Sequence, residues 1–225
     1  MNNGEKQSMP LVTRGFYIDS REERPYEVET TYQLRYYVSS ALISIDYILS
    51  PVEEMMARFE NKVEYYRYHI DGLFNFLGLI NDRFFCKPSS RDSNLQEKKK
   101  ERVVLNKNNY QFTEQEFSIL SNKIPRNIIE HLDERNVKTM IESKGVGGFN
   151  VIFEDSDTDM VAAITSHREL YPYTLDLVNK RMLFYNTQAK LDDVKEFDID
   201  ILELQRELRK LKQNINSFAE FVKGF

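Results

Sequence analysis

The sequence predicts a mainly α fold: an antiparallel helical bundle with a small β-hairpin region and a long C-terminal helix. Three apolar stripes carry that expectation. Leu34, Tyr37, Val38, Ala41, Leu42, Ile45, Ile48 and Leu49 recur at steps of three and four, and so do the apolar residues from Val52 to Phe84. Ile201, Leu204, Leu208, Leu211, Ile215, Phe218 and Val222 form the third stripe, a narrow seam suited to the bundle core or to a dimer partner.

Taken in order, residues 1 to 29 hold Gly4, Pro10, Gly15 and Pro25 with no sustained period, and read as a flexible N-terminal arm. The first helix runs from Thr30 to Ser50-Pro51. The same pair then suits the start of a second helix, with Ser50 as cap, Pro51 at the first position and Glu53 completing a capping box. That second helix is expected to run about nine turns as an antiparallel partner of the first. Residues 87 to 110 break the pattern and carry a net charge of +4 around Lys98-Lys99-Lys100 and Arg102 in a chain whose net charge is −5. They read either as a solvated connector or as a loop that steers RNA.

Thr113-Glu114-Gln115-Glu116 is a second capping box, and Phe117, Leu120 and Ile124 continue a helical stripe to Pro125. After Gly145-Val146-Gly147-Gly148, which lacks the Lys-Ser/Thr of a phosphate loop, Val151–Phe153 and Met160–Ile164 are short strand candidates. The Asp155-Ser156-Asp157-Thr158-Asp159 loop between them lacks the glycine and the final glutamate that a calcium loop needs. Tyr173–Val178 and Met182–Tyr185 flank Asn179-Lys180 as a hairpin, and the last helix is expected from about Asp198 to Val222.

Composition narrows the function classes. The chain is 225 residues long, 41% hydrophobic and 30% charged, which describes an ordinary globular protein with room for a sizeable core. A single cysteine, Cys86, excludes an internal disulfide framework and fits a buried or helix-end thiol in a reducing compartment. No apolar run approaches the ~18 residues of a membrane span, so a cytoplasmic protein without membrane contact is expected. The acidic balance argues against a generic nucleic-acid coat but not against a local RNA site.

The chemistry concentrates at Pro125-Arg126-Asn127-Ile128-Ile129-Glu130-His131. Pro125 fits the first position of a helix, which puts Arg126 and Asn127 in its opening turn. Arg126 and His131 then stand roughly 140° apart around the axis, so one helix makes a poor site, whereas two copies across a two-fold axis can point both pairs into one cleft. His131 can exchange a proton near neutral pH, and Arg126 offers a charged planar fork to a phosphate. Asn127 can orient either group, and Glu130 can favour the protonated histidine or simply lie on the helix surface.

This Arg-polar-x3-His pattern resembles the signature of HEPN domains, the helical domains of many prokaryotic toxin, abortive-infection and CRISPR-effector ribonucleases. The resemblance, which rests on the motif and the helix order, implies a HEPN-like bundle over residues 30–143; the β-hairpin region and C-terminal helix of residues 144–225 are expected to pack on it as one structural unit. It also implies a homodimer whose joined motifs cleave RNA without metal or other cofactor. In such a reaction the ribose 2′-OH attacks the adjacent phosphate, leaving a 2′,3′-cyclic phosphate and a 5′-OH. Arg126 and His131 would be catalytic, with Asn127 and Glu130 supporting. Lys98, Lys99, Lys100 and Arg102 would bind RNA, and an antitoxin or defence-system component would be a further partner. The competing expectation is a HEPN-like module that binds RNA or a protein without cutting.

Of the other histidines, His69 sits in Tyr65-Tyr66-Arg67-Tyr68-His69, whose residues either alternate between core and solvent faces or offer rings for base stacking. His167 has no assigned role. Cys86 and the three histidines show no zinc-site spacing.

Overall fold

A computed structural model describes residues 11–13, 16–18, 24–85, 93–122, 149–171, 173–185 and 196–223. Among these the protein is mainly helical with a small four-stranded sheet. The elements in chain order are β1 (Leu11–Thr13), β2 (Phe16–Ile18), α1 (Arg24–Leu49), α2 (Glu53–Met56), α3 (Lys62–Phe85), α4 (Ser93–Asn109) and α5 (Ser118–Ser121). There follow β3 (Phe149–Ile152), α6 (Thr158–Ser166), β4 (Tyr173–Asp176), β5 (Arg181–Tyr185), β6 (Glu196–Asp200) and α7 (Ile201–Lys223).

The core is organised around α1. Its stripe residues Leu34, Val38, Ala41 and Ile45 are fully buried. One flank meets α3 antiparallel: Gln33 accepts a hydrogen bond from Arg83, and Tyr47 stacks on His69 at 4.8 Å. The other flank meets α7, also antiparallel, with Asp46 accepting from Gln205 at 2.9 Å near one end and Val28 beside Val222 at the other. All seven residues of the α7 seam are buried within the protomer, so that seam is core. Burial of such aliphatic and aromatic side chains stabilises by ~1.5–3 kcal/mol each.

The sheet has the order β3-β4-β5-β6, with β3 parallel to β4 and the remaining pairs antiparallel. It packs on α3 through Phe74 against Phe184 at 5.5 Å and Tyr66 against Phe153 at 5.8 Å. Tyr173 Oη also donates to Asp71 Oδ1 at 3.1 Å. One buried cluster therefore runs from the helices into the sheet. The hairpin at Asn179-Lys180 forms as expected: Lys180 takes φ 55°, and Asp176 Oδ1 accepts from the Asn179 N–H at 2.9 Å.

Several expectations need correction. The N-terminal arm holds a two-stranded ribbon, and α1 begins at Arg24, six residues before Thr30, with Pro25 in its first turn. The long second helix is interrupted between Met56 and Lys62. Ser50 caps nothing: Val52 is the N-cap residue of α2 and has no side-chain cap bond. Asn61 starts α3 afresh, its Oδ1 accepting from the Glu64 N–H at 3.0 Å while Glu64 reaches back to the Glu60 N–H at 3.2 Å.

The stretch read as a connector or loop contains helix α4. It closes with Gln111 at φ 49° and a bond from the Phe112 N–H to the Lys107 carbonyl at 2.8 Å, the helix-ending geometry usually reserved for glycine. Phe112 then stacks between Phe84 at 4.0 Å and Phe117 at 4.6 Å. The Thr113 box forms its hydrogen bond, Glu116 N–H to Thr113 Oγ1 at 3.3 Å, but α5 starts only at Ser118.

Met160–Ile164 is helix rather than strand, because Asp157 caps α6 by accepting from the Asp159 and Met160 N–H groups at 2.7 and 3.2 Å. Residues 196–200, expected to lead into the last helix, form β6. Asp200 then caps α7, accepting from the Leu202 and Glu203 N–H groups at 2.8 and 3.0 Å. No described helix is long and apolar enough to cross a membrane.

Candidate functional site

Arg126, Asn127, Glu130 and His131 lie outside the described residues, as does Cys86. The described chain stops at Asn122, four residues before Arg126, and the structure around that point is unusual. Helix α5 has no cap of its own: its N-cap residue, Phe117, makes no side-chain cap bond. Glu207, in the second turn of α7, supplies one. Its Oε1 accepts from the Ile119 N–H at 3.0 Å and from Ser118 Oγ at 3.3 Å, and its Oε2 accepts from the Leu120 N–H at 3.0 Å. A carboxylate at helix-start N–H groups satisfies donors that have no partner within the helix.

From the other side, Asn81 Nδ2 on α3 donates to the Leu120 carbonyl at 2.7 Å. The turn preceding the motif segment is thus pinned by one polar side chain from each of two long helices. Burial raises the Glu207 carboxyl above its ordinary range, and the bonds from Leu120, Ile119 and Ser118 oppose that rise. Neither Glu207 nor Asn81 was singled out from the sequence. The available signal was position: Glu207 lies only ~60° from the centre of the α7 stripe, too close to the core for a solvated carboxylate.

The described part of the basic stretch lies on helix α4, without a single basic face. Lys98, Lys99 and Lys100 follow one another at ~100° steps around α4, so they point in three directions. Lys98 and Lys100 are exposed and Lys99 is half-buried. Arg102 lies over the Tyr26 ring at 4.0 Å, and Lys107 bonds Glu114 at 3.1 Å while lying over the Phe85 ring at 4.2 Å. The exposed charge left for an RNA is smaller than the count of cations suggests.

His69 turns out to be a core histidine, 5% exposed. Its ring stacks on Tyr47 and meets Tyr65 at 4.6 Å and Tyr68 at 5.3 Å, and its Nε2 is buried with no hydrogen-bond partner. Of the neighbouring tyrosines, Tyr65 and Tyr66 are buried and only Tyr68 is exposed, so the segment alternates between core and solvent. Burial lowers the His69 pKa. The unfolded chain, titrating near ~6.5, therefore takes up the proton first, and stability falls as pH drops through that value. Replacing His69 by Phe should remove this loss: melting temperatures at pH 7.5 and 5.5 should differ less in the variant than in wild type. An equal pH dependence would contradict this.

One further concave feature lies where the start of α1 meets the end of α7. A groove of about 130 Å³ is lined by Val28, Thr31, Tyr32, Arg35, Ala219 and Val222. Among the described residues no group of three or more His, Cys, Asp or Glu side chains is placed to hold a metal ion. Asp157, at the loop rejected as a calcium site, is occupied as the α6 cap.

The described residues define a class, a mainly helical protein carrying a small mixed sheet. No family model, curated protein or solved structure matches this chain.

Proposed function

We propose that the protein is a metal-independent endoribonuclease of the HEPN type, cutting RNA at a composite site built by two protomers in a toxin or phage-defence role. The observation that carries this reading is the Arg126-Asn127-x-x-x-His131 spacing behind Pro125. In it, His131 moves the proton between the 2′-OH and the leaving oxygen, and Arg126 stabilises the charge gathering on the phosphate. Asn127 and Glu130 orient the pair. A mainly helical architecture, with a pinned turn just ahead of the motif segment, supports the reading. Lys98 and Lys100 steer the RNA. Reversing both charges to Glu in a His131→Ala background should weaken RNA binding about tenfold at low salt, and by less as salt rises. Filter binding across a salt series checks this, and unchanged binding removes α4 from the RNA path.

The second reading, a non-catalytic helical module that binds RNA or a protein, is favoured by the net charge of −5 and by the engagement of Arg102 and Lys107 within the fold. RNA cleavage by purified wild type beside His131→Ala separates the two. Cutting lost with His131 supports the nuclease. Intact RNA with wild type, together with a partner recovered equally by both proteins, supports the module.

A further inference from the structure

Among the described residues, the outer face of α1 carries an exposed apolar stripe, with Tyr36 meeting the Phe76 ring of α3 edge-on at 5.8 Å along one side of it. Val28, Tyr32, Tyr36 and Ile43 are 37, 67, 62 and 54% exposed. At ~100° per residue these four, with Arg35 and Ser39, fall within about 100° of arc, so they share one side of the helix. Arg35 makes no hydrogen bond or ion pair with the described residues. Beside Val28 and Tyr32 the stripe opens into the groove floored by Ala219 and Val222 of α7.

We propose that this face is the docking surface for a second copy of the chain, in a symmetric antiparallel pairing of α1 with α1. The stripe is self-complementary about a two-fold axis passing between Arg35 and Tyr36. That axis places Ile43 of each copy opposite Val28 of the other, so the protruding Ile43 side chain enters the partner's groove. Knob and groove are fifteen residues apart, about 22 Å along the helix, and the axis carries each onto the other. At the centre, the Arg35 guanidinium lies against the Tyr36 ring of the opposite copy, a cation over an aromatic face. The small Ser39 faces Tyr32 and lets the helices approach.

Size and charge fit this occupant. With an aromatic side chain offering about 150–250 Å², the stripe presents on the order of 500 Å² per copy and about 1,000 Å² for the pair, where specific but weak interfaces begin. A phosphate backbone is a poorer complement: the face carries one guanidinium and no lysine, with Glu29 at its edge and Asp46 in line with Val28 towards the end of the helix. The inference rests on this face alone and stands whether or not the chain cuts RNA.

Sedimentation velocity on the full chain, from about 1 to about 300 µM, tests it. Wild type should pass from monomer to dimer across that range. Ile43→Lys and Tyr32→Ala should each move the midpoint up by about tenfold or more. Because both residues are exposed, thermal melts should stay unchanged. A Val28→Cys, Ile43→Cys double variant should form an interprotomer disulfide that neither single variant forms. A wild type that stays monomeric throughout, or a dimer untouched by both substitutions, overturns the proposal.

Discussion

Replacing Glu207 by alanine should lower stability by about 3 kcal/mol, roughly a 10 °C drop in melting temperature for a chain of this size. The carboxylate is 4% exposed and serves the Ile119 and Leu120 N–H groups and the Ser118 hydroxyl. Truncation leaves those donors without an acceptor beside a small cavity, and hydrogen bonds to a charged group contribute ~1.5–3 kcal/mol each. Relief of carboxylate desolvation offsets part of the loss.

Glutamine keeps one acceptor and the shape, so Glu207→Gln should fall within about 1 kcal/mol of wild type at pH 7. The pH trend separates the two further. Because burial raises the Glu207 pKa, the folded protein binds its proton more readily than the unfolded chain. That contribution is present below the unfolded pKa and is lost as pH rises through the folded one. Wild type should therefore gain stability relative to Glu207→Gln as pH falls from 7 towards 5. Chemical denaturation at both pH values checks this, and an alanine variant as stable as wild type would remove Glu207 as the α5 cap.

The largest effects on activity should come from the motif. His131→Ala should cost at least about a hundredfold in RNA cleavage, the usual contribution of a positioned acid or base. Arg126→Ala should cost about a hundred- to a thousandfold, as removal of a donor aimed at developing charge does. Both variants should keep the wild-type far-ultraviolet spectrum and sedimentation profile. Loss of activity accompanied by loss of fold would assign these residues to structure rather than chemistry.

How legible all this was depended on the kind of signal. The stripes of α1, α3 and α7 were readable because a buried helix face repeats at a fixed step, and every seam residue from Ile201 to Val222 is indeed buried. The hairpin was readable because Asn179-Lys180 is turn chemistry between two apolar runs.

The missed elements are those whose signal is not periodic. Helix α4 is polar on most sides, and what it buries includes Asn106 and Asn109, which bond the Arg83 carbonyl at 2.9 Å and the Glu27 carboxylate at 3.2 Å. No hydrophobic pattern marks such a helix. Strand β6, Glu196-Phe197-Asp198-Ile199-Asp200, alternates as a strand should, but it runs directly into α7 and was absorbed into that helix. The break before α3 turns on a single residue, Asn61, within an otherwise continuous apolar stripe.

The candidate site divides the same way. The motif was visible as a spacing along one segment. The Glu207 and Asn81 contacts that pin the turn before it join residues 87 and 39 apart, and pairing over such distances is set by the tertiary fold.

The measurement that tests the central claim most directly is incubation of purified wild type and His131→Ala with a mixed RNA pool in EDTA, followed by sequencing of the ends produced. Attack by the ribose 2′-OH at the Arg126/His131 site predicts 2′,3′-cyclic phosphate and 5′-OH ends from wild type and none from the variant. Fragments bearing 5′-phosphates, or equal cutting by His131→Ala, would contradict it.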